Sequence, residues 1–188
     1  MTILFARNRD QALLALMLQE ARRAADEANM YVGRTAVQKL MYFAKQMGTP
    51  MDYQFDIYHY GPFCQEIMQD IDLLTFDGVI KDKASKPEYS NYYPSDNMEE
   101  ILSLHEQELN HYREKIRDVV KLISLKPDQL EMLSTLDFIY RKEKASVASG
   151  SIKERVLDQF FKYKENKFKK DDMLKYYDLM VEAKIFEE

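Results

Sequence analysis

The feature that most constrains this chain is the punctuation between Arg34 and Ile80, where glycine and proline fix the order of the elements. Gly48, with Pro50 just beyond, predicts the end of a helix that begins near Thr35. Glycine can take the left-handed conformation that closes a helix, and proline discourages its return. Thr35 and Gln38 have capping-box spacing. Val37, Leu40, Met41 and Ala44 form an apolar stripe at helical spacing. Residues 52–60 hold Tyr53, Phe55, Ile57 and Tyr58, a strand-like composition. Gly61-Pro62 predicts a sharp turn that sets Pro62 at the first position of a second helix, closed by Gly78. Residues 79–83 and 89–93 then read as two strands joined by a turn at 84–86. Before this block, residues 10–29 predict a helix with Leu13, Leu14, Met17, Leu18, Ala21 and Ala24 on a broad apolar face. Helix, helix, strand, helix and β-ribbon is the order of a winged helix-turn-helix. The expected fold class is therefore mainly α, with a winged-helix-like N-terminal unit (1–95) carrying a small β-ribbon. An α-helical C-terminal half (96–188) follows.

In that second half, Asp96 and Glu99 have capping-box spacing and open a helix expected to run to about Ser124, about 40 Å at helical rise. Leu102, His105, Leu109, Tyr112, Ile116, Val119 and Ile123 alternate by threes and fours, a heptad seam interrupted by a polar residue. Packing inside a bundle is one use of such a seam; a homodimer contact through residues 98–124 is the other. Pro127 is placed to start the next helix, to about Lys142. Residues 145–150 are small and polar and form the expected linker. Ser151 and Glu154 repeat the capping-box spacing, Lys167-Phe168 reads as a short strand, and Asp171 as the cap of the last helix. Asp72-Leu73-Leu74 followed by Val79-Ile80 is echoed by Asp178-Leu179-Met180 followed by Ile185-Phe186. The echo suggests a second small winged-helix-like unit at 151–188, or merely two similar helix exits.

Two blocks of the opening stretch carry a family resemblance. Ala36-Val37-Gln38-Lys39-Leu40-Met41-Tyr42-Phe43-Ala44 resembles the Gln-Lys-Leu helix of the Panacea domain, the SocA-like antitoxin domain of bacteria and phages. Tyr58-His59-Tyr60-Gly61-Pro62 resembles that family's aromatic-x-Tyr-Gly-Pro turn. The same blocks, with the ending Asp72-Leu73-Leu74 to Gly78-Val79-Ile80, are also similar to the uncharacterised YwgA-type bacterial proteins. Together they cover about a quarter of the chain. The resemblance to Panacea domains implies neutralisation of a toxin by direct binding, or its delivery to a protease. The YwgA-type resemblance implies no known activity. The helix before Gly33 and the heptad helix have no counterpart in the Panacea pattern.

Composition narrows the function classes. The chain has 188 residues, 31% charged and 46% hydrophobic, enough for one compact domain or two small ones. A net charge of −5 gives no general attraction to nucleic acid. The single cysteine, Cys64, excludes an intrachain disulfide and fits a reducing cytoplasm. The first residues lack the apolar run of a signal peptide, and no run approaches the roughly 18 apolar residues that span a bilayer. A cytoplasmic protein without membrane contact is expected.

Three function classes remain. The first is a non-enzymatic protein-interaction module, antitoxin-like by resemblance, with Tyr58, Tyr60, Glu66 and Asp70 as partner-binding residues. Tyrosine supplies large contact area at low entropic cost. The second is a winged-helix DNA-binding regulator. The helix after Pro62 presents Gln65, Glu66, Gln69, Asp70, Asp72 and Asp77 and contains no lysine or arginine. Phosphate neutralisation by basic side chains supplies most non-specific affinity, so this helix disfavours the reading. Such a regulator would use the wing, where Asp82 and Glu88 partly offset Lys81, Lys83 and Lys86, and the basic run from Arg141 to Lys170, with Lys167, Lys169 and Lys170 as the nucleic-acid contacts. A solvated surface is the plain alternative for that run. The third is a hydrolase in which Cys64, in the first turn of a helix where the dipole lowers a thiol pKa, works with His59. No third orienting group can be named for it. His105 and His111, six apart, do not share a helix face, so no metal site is expected, and no cofactor motif is present.

Overall fold

The computed structural model describes residues 4–124, 126–146, 150–164 and 167–187. It is mainly α, 64% helical, with eight helices and two small antiparallel hairpins in the N-terminal half among the described residues. None of these helices is long and apolar enough to cross a membrane. Contacts gather the chain into two units, residues 1–56 with 63–127, and residues 57–62 with 128–188.

The first unit opens with α1 (Arg9–Ala28), capped reciprocally by Asn8 and Gln11 and ended by Asn29 in the left-handed conformation (φ 53°). Leu13, Leu14, Met17, Leu18 and Ala21 are buried on its apolar face. Next comes α2 (Arg34–Gln46), whose N-cap is Gly33 with no side-chain cap. The expected Thr35–Gln38 capping box does not form. The Gln38 side chain instead grips Cys64, donating from Nε2 to its carbonyl at 2.8 Å and accepting from its amide at 2.9 Å. A buried backbone segment needs its polar groups satisfied, and that demand outweighs a helix end open to water. Gly48 closes the helix with φ 83°, as expected.

The hairpin of β1 (Asp56–Tyr58) and β2 (Gly61–Phe63) follows. Pro62 therefore lies in a strand and not at a helix start. Its fixed φ suits an extended strand as well as a first helical turn, and α3 (Gln65–Phe76) begins after Cys64. In the second hairpin, β3 (Ile80–Asp82) pairs with β4 (Tyr92–Pro94) in the register Ile80–Pro94, Lys81–Tyr93 and Asp82–Tyr92. Asp82 closes its loop, accepting from the amides of Ala84 (2.9 Å) and Asn91 (2.8 Å).

The single long helix expected after Asp96 is two, α4 (Met98–Leu104) and α5 (Glu106–Val120), followed by a 3-10 turn (Lys121–Ser124). Asn97, with no side-chain cap bond, occupies the cap expected of Asp96. The break falls at His105, the polar member of the seam, whose Nε2 lies 2.8 Å from the Arg7 carbonyl. Leu102, Leu109, Ile116 and Val119 are buried in one cluster with α1 and α2. Glu20, buried in α1, takes Arg113 (3.4 Å) and Arg117 (3.2 Å) from α5.

The second unit holds α6 (Pro127–Lys144), which Pro127 starts as expected, α7 (Ile152–Tyr163) and α8 (Lys170–Glu182). Ser151 caps α7 by accepting from the Glu154 amide. Lys169 occupies the cap of α8, and Asp171 lies in its first turn. Leu136, Tyr140, Val156, Phe160, Met173, Tyr177 and Phe186 form the core. Phe186 stacks on Tyr140 with ring centroids 4.0 Å apart. The strands expected at 167–168 and 185–186 are absent among the described residues. The internal echo is a shared helix exit. Gly78 (φ 65°) and Lys184 (φ 57°) are both left-handed, and the next amide donates back five residues, from Val79 to Leu74 and from Ile185 to Met180, each at 2.9 Å.

Candidate functional site

Helix α3 is one-sided. Ile67, Ile71 and Leu74 are fully buried, as an amphipathic helix requires. The opposite side carries the exposed Glu66, Gln69, Asp72 and Phe76. Along its first half, Glu66, Gln69 and Asp70 line a pocket of about 650 Å³ within the first unit, together with Arg9, Asp10, Asp52, Tyr53, His105 and Glu108. Five carboxylates face Arg9, His105 and the Tyr53 phenol there.

Two of those carboxylates are held by the protein itself. Asp70 accepts from the Tyr53 hydroxyl at 2.6 Å and from Gln11 Nε2 at 2.8 Å. Burial, reinforced by the bond to Asp70, pushes the Tyr53 phenol far above its ordinary range, so it stays a donor. Asp10 accepts from the Asp52 amide at 2.5 Å. Glu66 is exposed, with the Cys64 thiol 3.7 Å away. Asp70 is thus a structural acceptor as well as a pocket residue, and Glu66 is the more available acid. At the other end of α3, Asp77 is buried and takes the amides of Phe5 (2.8 Å) and Ala6 (2.7 Å). These bonds hold residues 5–6 at the end of α3, where the Phe5 ring lies 5.8 Å from Phe76, both rings exposed.

The remaining partner-binding candidates, Tyr58 and Tyr60, belong to the second unit and are each 61% exposed. They flank His59, whose ring lies against Tyr58 at 4.6 Å. The structure brings Tyr60 together with Lys167, whose ammonium sits 5.3 Å from the Tyr60 ring centre. A residue assigned to protein contact and one assigned to nucleic acid are neighbours.

The basic run is largely neutralised within its own unit. Arg141 pairs with Asp137 (2.8 Å), Lys144 with Glu187 (2.7 Å), Lys153 with Asp178 (2.6 Å) and Arg155 with Glu143 (2.9 Å). Lys164 and Lys167 share Glu131 at 2.7 and 2.6 Å, and Lys167 also approaches Asp128 at 3.4 Å. Only Glu143 among these acids lies inside the run. Lys169 and Lys170 are exposed at the start of α8, next to Asp171 and Asp172 in its first turn.

Cys64 is 2% exposed at the cap of α3. Burial pushes its thiol pKa up, outweighing the backbone amides of Ile67 and Glu66 that favour the thiolate. That is opposite to the expected dipole effect, because desolvation penalises the charged form more than the helix end stabilises it. His59 belongs to the other unit. Among the described residues no group of three His, Cys, Asp or Glu side chains is arranged to hold a metal ion.

The sequence reading missed Asp10, Asp52, Tyr53 and Glu108 as pocket residues. They come from three separate places in the chain, and no spacing rule joins them. Compared with models of known protein families the chain matches none, and no curated protein matches it in sequence.

Proposed function

We propose that this chain is a non-enzymatic protein-binding module, antitoxin-like in the sense of the Panacea resemblance, which engages a partner protein in the cytoplasm. The observation that carries the reading is the one-sidedness of α3. An exposed face with carboxylates, no basic residue and a pair of exposed phenylalanines at one end has the chemistry of a protein contact. Such a face repels a phosphate backbone. Exposed aromatics contribute most to interfaces when they become buried against a partner.

Two further features support it. The Gln38–Cys64 clasp ties the helix that carries the first of the two resembling blocks to the residue just before α3, so Gln38 sets the start of the acidic helix. The order α1, α2, the β1–β2 hairpin, α3 and the β3–β4 ribbon supports a winged-helix-like reading of the first unit, with the acidic third helix favouring protein over nucleic acid.

The test is capture from the native host with wild type and Glu66→Lys, followed by direct titration of the captured protein by calorimetry. Binding weakened at least tenfold by Glu66→Lys is expected. Equal affinity for both forms, or capture of nucleic acid alone, overturns the reading.

A further inference from the structure

The turn carrying Tyr58 and Tyr60 is fastened by a buried charge cluster built on Glu131 and Lys164, two residues to which none of the functional readings gives a role. Glu131 on α6 is 2% exposed and Lys164, just after α7, is 4% exposed. A single carboxylate therefore receives two ammonium groups, Lys164 on Oε1 and Lys167 on Oε2. Lys164 also donates to the backbone carbonyl of His59, in the middle of the turn. Next to that bond, Gly61 (φ 89°) lies so close to α6 that a Cβ there would meet Thr135 Oγ1 at 2.5 Å and Ser134 Oγ at 3.4 Å. On the outer side the Lys167 ammonium covers the Tyr60 ring.

The turn is thus gripped at three successive residues: His59 by its carbonyl, Tyr60 by its ring and Gly61 by close backbone approach. A lysine in this setting is costly, since burial pushes its ammonium pKa down while Glu131 opposes the change. A hydrophobic side chain would fill the same space without that cost. An ammonium can do what a hydrophobic side chain cannot, which is to bind a carboxylate and a main-chain carbonyl at once.

We infer that Glu131 and Lys164 form a clasp that fixes the Tyr58–Tyr60 turn against α6, so that they act as positioning residues for the two exposed tyrosines. Release of the clasp frees the turn while the helices of the second unit stay folded, at a lower overall stability. Its consequence for partner binding rests on the reading of Tyr58 and Tyr60 as contact residues. The clasp itself does not, and its test needs no partner.

That test is limited chymotrypsin digestion of the full chain, with cleavage after Tyr58 and Tyr60 followed by mass spectrometry. Cleavage after the exposed Tyr31 and Tyr89 in the same digest is the internal reference. Lys164→Met is expected to raise turn cleavage at least tenfold over that reference, with helical circular dichroism unchanged. Lys144→Ala, which removes the exposed pair with Glu187, is expected to leave the ratio unchanged. A folded Lys164→Met with an unchanged ratio overturns the clasp, as does an equal rise in Lys144→Ala. If Lys164→Met loses its helical signal, Glu131→Gln is read in the same way. Loss of that signal in both variants makes the cluster part of the unit's global fold and also overturns the inference.

Discussion

The acidic face of α3 and the basic run from Arg141 to Lys170 look like mirror images in the sequence, and the structure treats them in opposite ways. On α3, Glu66, Gln69 and Asp72 stay at the surface, and Glu66 borders a carboxylate-lined pocket. In the basic run, six of ten cationic side chains, from Arg141 to Lys167, are matched to carboxylates of the same unit. Charge that is matched internally builds the fold. Charge left unmatched on one face is available for a partner. Net charge along a segment therefore says little about what the segment contacts. The deciding quantity is whether the counter-charges arrive from elsewhere in the chain.

The contrast can be broken most forcefully inside the second unit. Glu131→Ala leaves Lys164 buried without its carboxylate and is expected to cost about 3–5 kcal/mol, read as a lowered urea midpoint. A midpoint equal to wild type means that the cluster is not the buried pair described. Somewhat smaller is the expected effect of Gln38→Ala, which strands the amide and carbonyl of Cys64. A loss of about 1–3 kcal/mol is expected, and an unchanged urea midpoint contradicts the clasp between α2 and the start of α3. By contrast, Glu66→Lys is expected to shift stability by less than about 0.5 kcal/mol, because Glu66 is exposed. A large drop places Glu66 among the structural charges and removes the contrast.

The remaining predictions sharpen the comparison at its edges. Cys64 alkylates through its thiolate. With burial raising its pKa, iodoacetamide at pH 8 is expected to label the native chain far more slowly than the urea-unfolded chain. Equal rates revive the nucleophile reading. Reversing Lys167, Lys169 and Lys170 to glutamate is expected to leave gel-shift behaviour unchanged, with no shift of duplex DNA by either form at low salt. A shift by wild type that the reversal abolishes favours the DNA-binding alternative.

Much of the fold was legible because its signals are local. Gly48, Gly78, Pro127 and Ser151 mark element ends that depend on residues within one turn. Three of the errors share a cause, which is that a side chain suited to a local role was claimed by a distant group. Gln38 has the spacing of a capping residue and serves Cys64 instead. His105 lies on the heptad seam, yet its ring reaches the Arg7 carbonyl at the helix break. Lys164 and Lys167 look like solvated surface until Glu131 is placed beside them. For the candidate site the limit was similar. Glu66 and Asp70 were legible as one face of a helix, but Asp10, Asp52, Tyr53 and Glu108 meet them only through tertiary packing. Nor could the sequence show that Asp70 is already engaged by Tyr53 and Gln11.

The most direct test of the central claim is a calorimetric titration of the captured host partner into wild type and Glu66→Lys, both first shown to have the same urea midpoint. At least a tenfold loss of affinity in the variant, with no change in stability, is expected. Equal affinity in two equally stable proteins contradicts that claim and moves the binding surface away from α3.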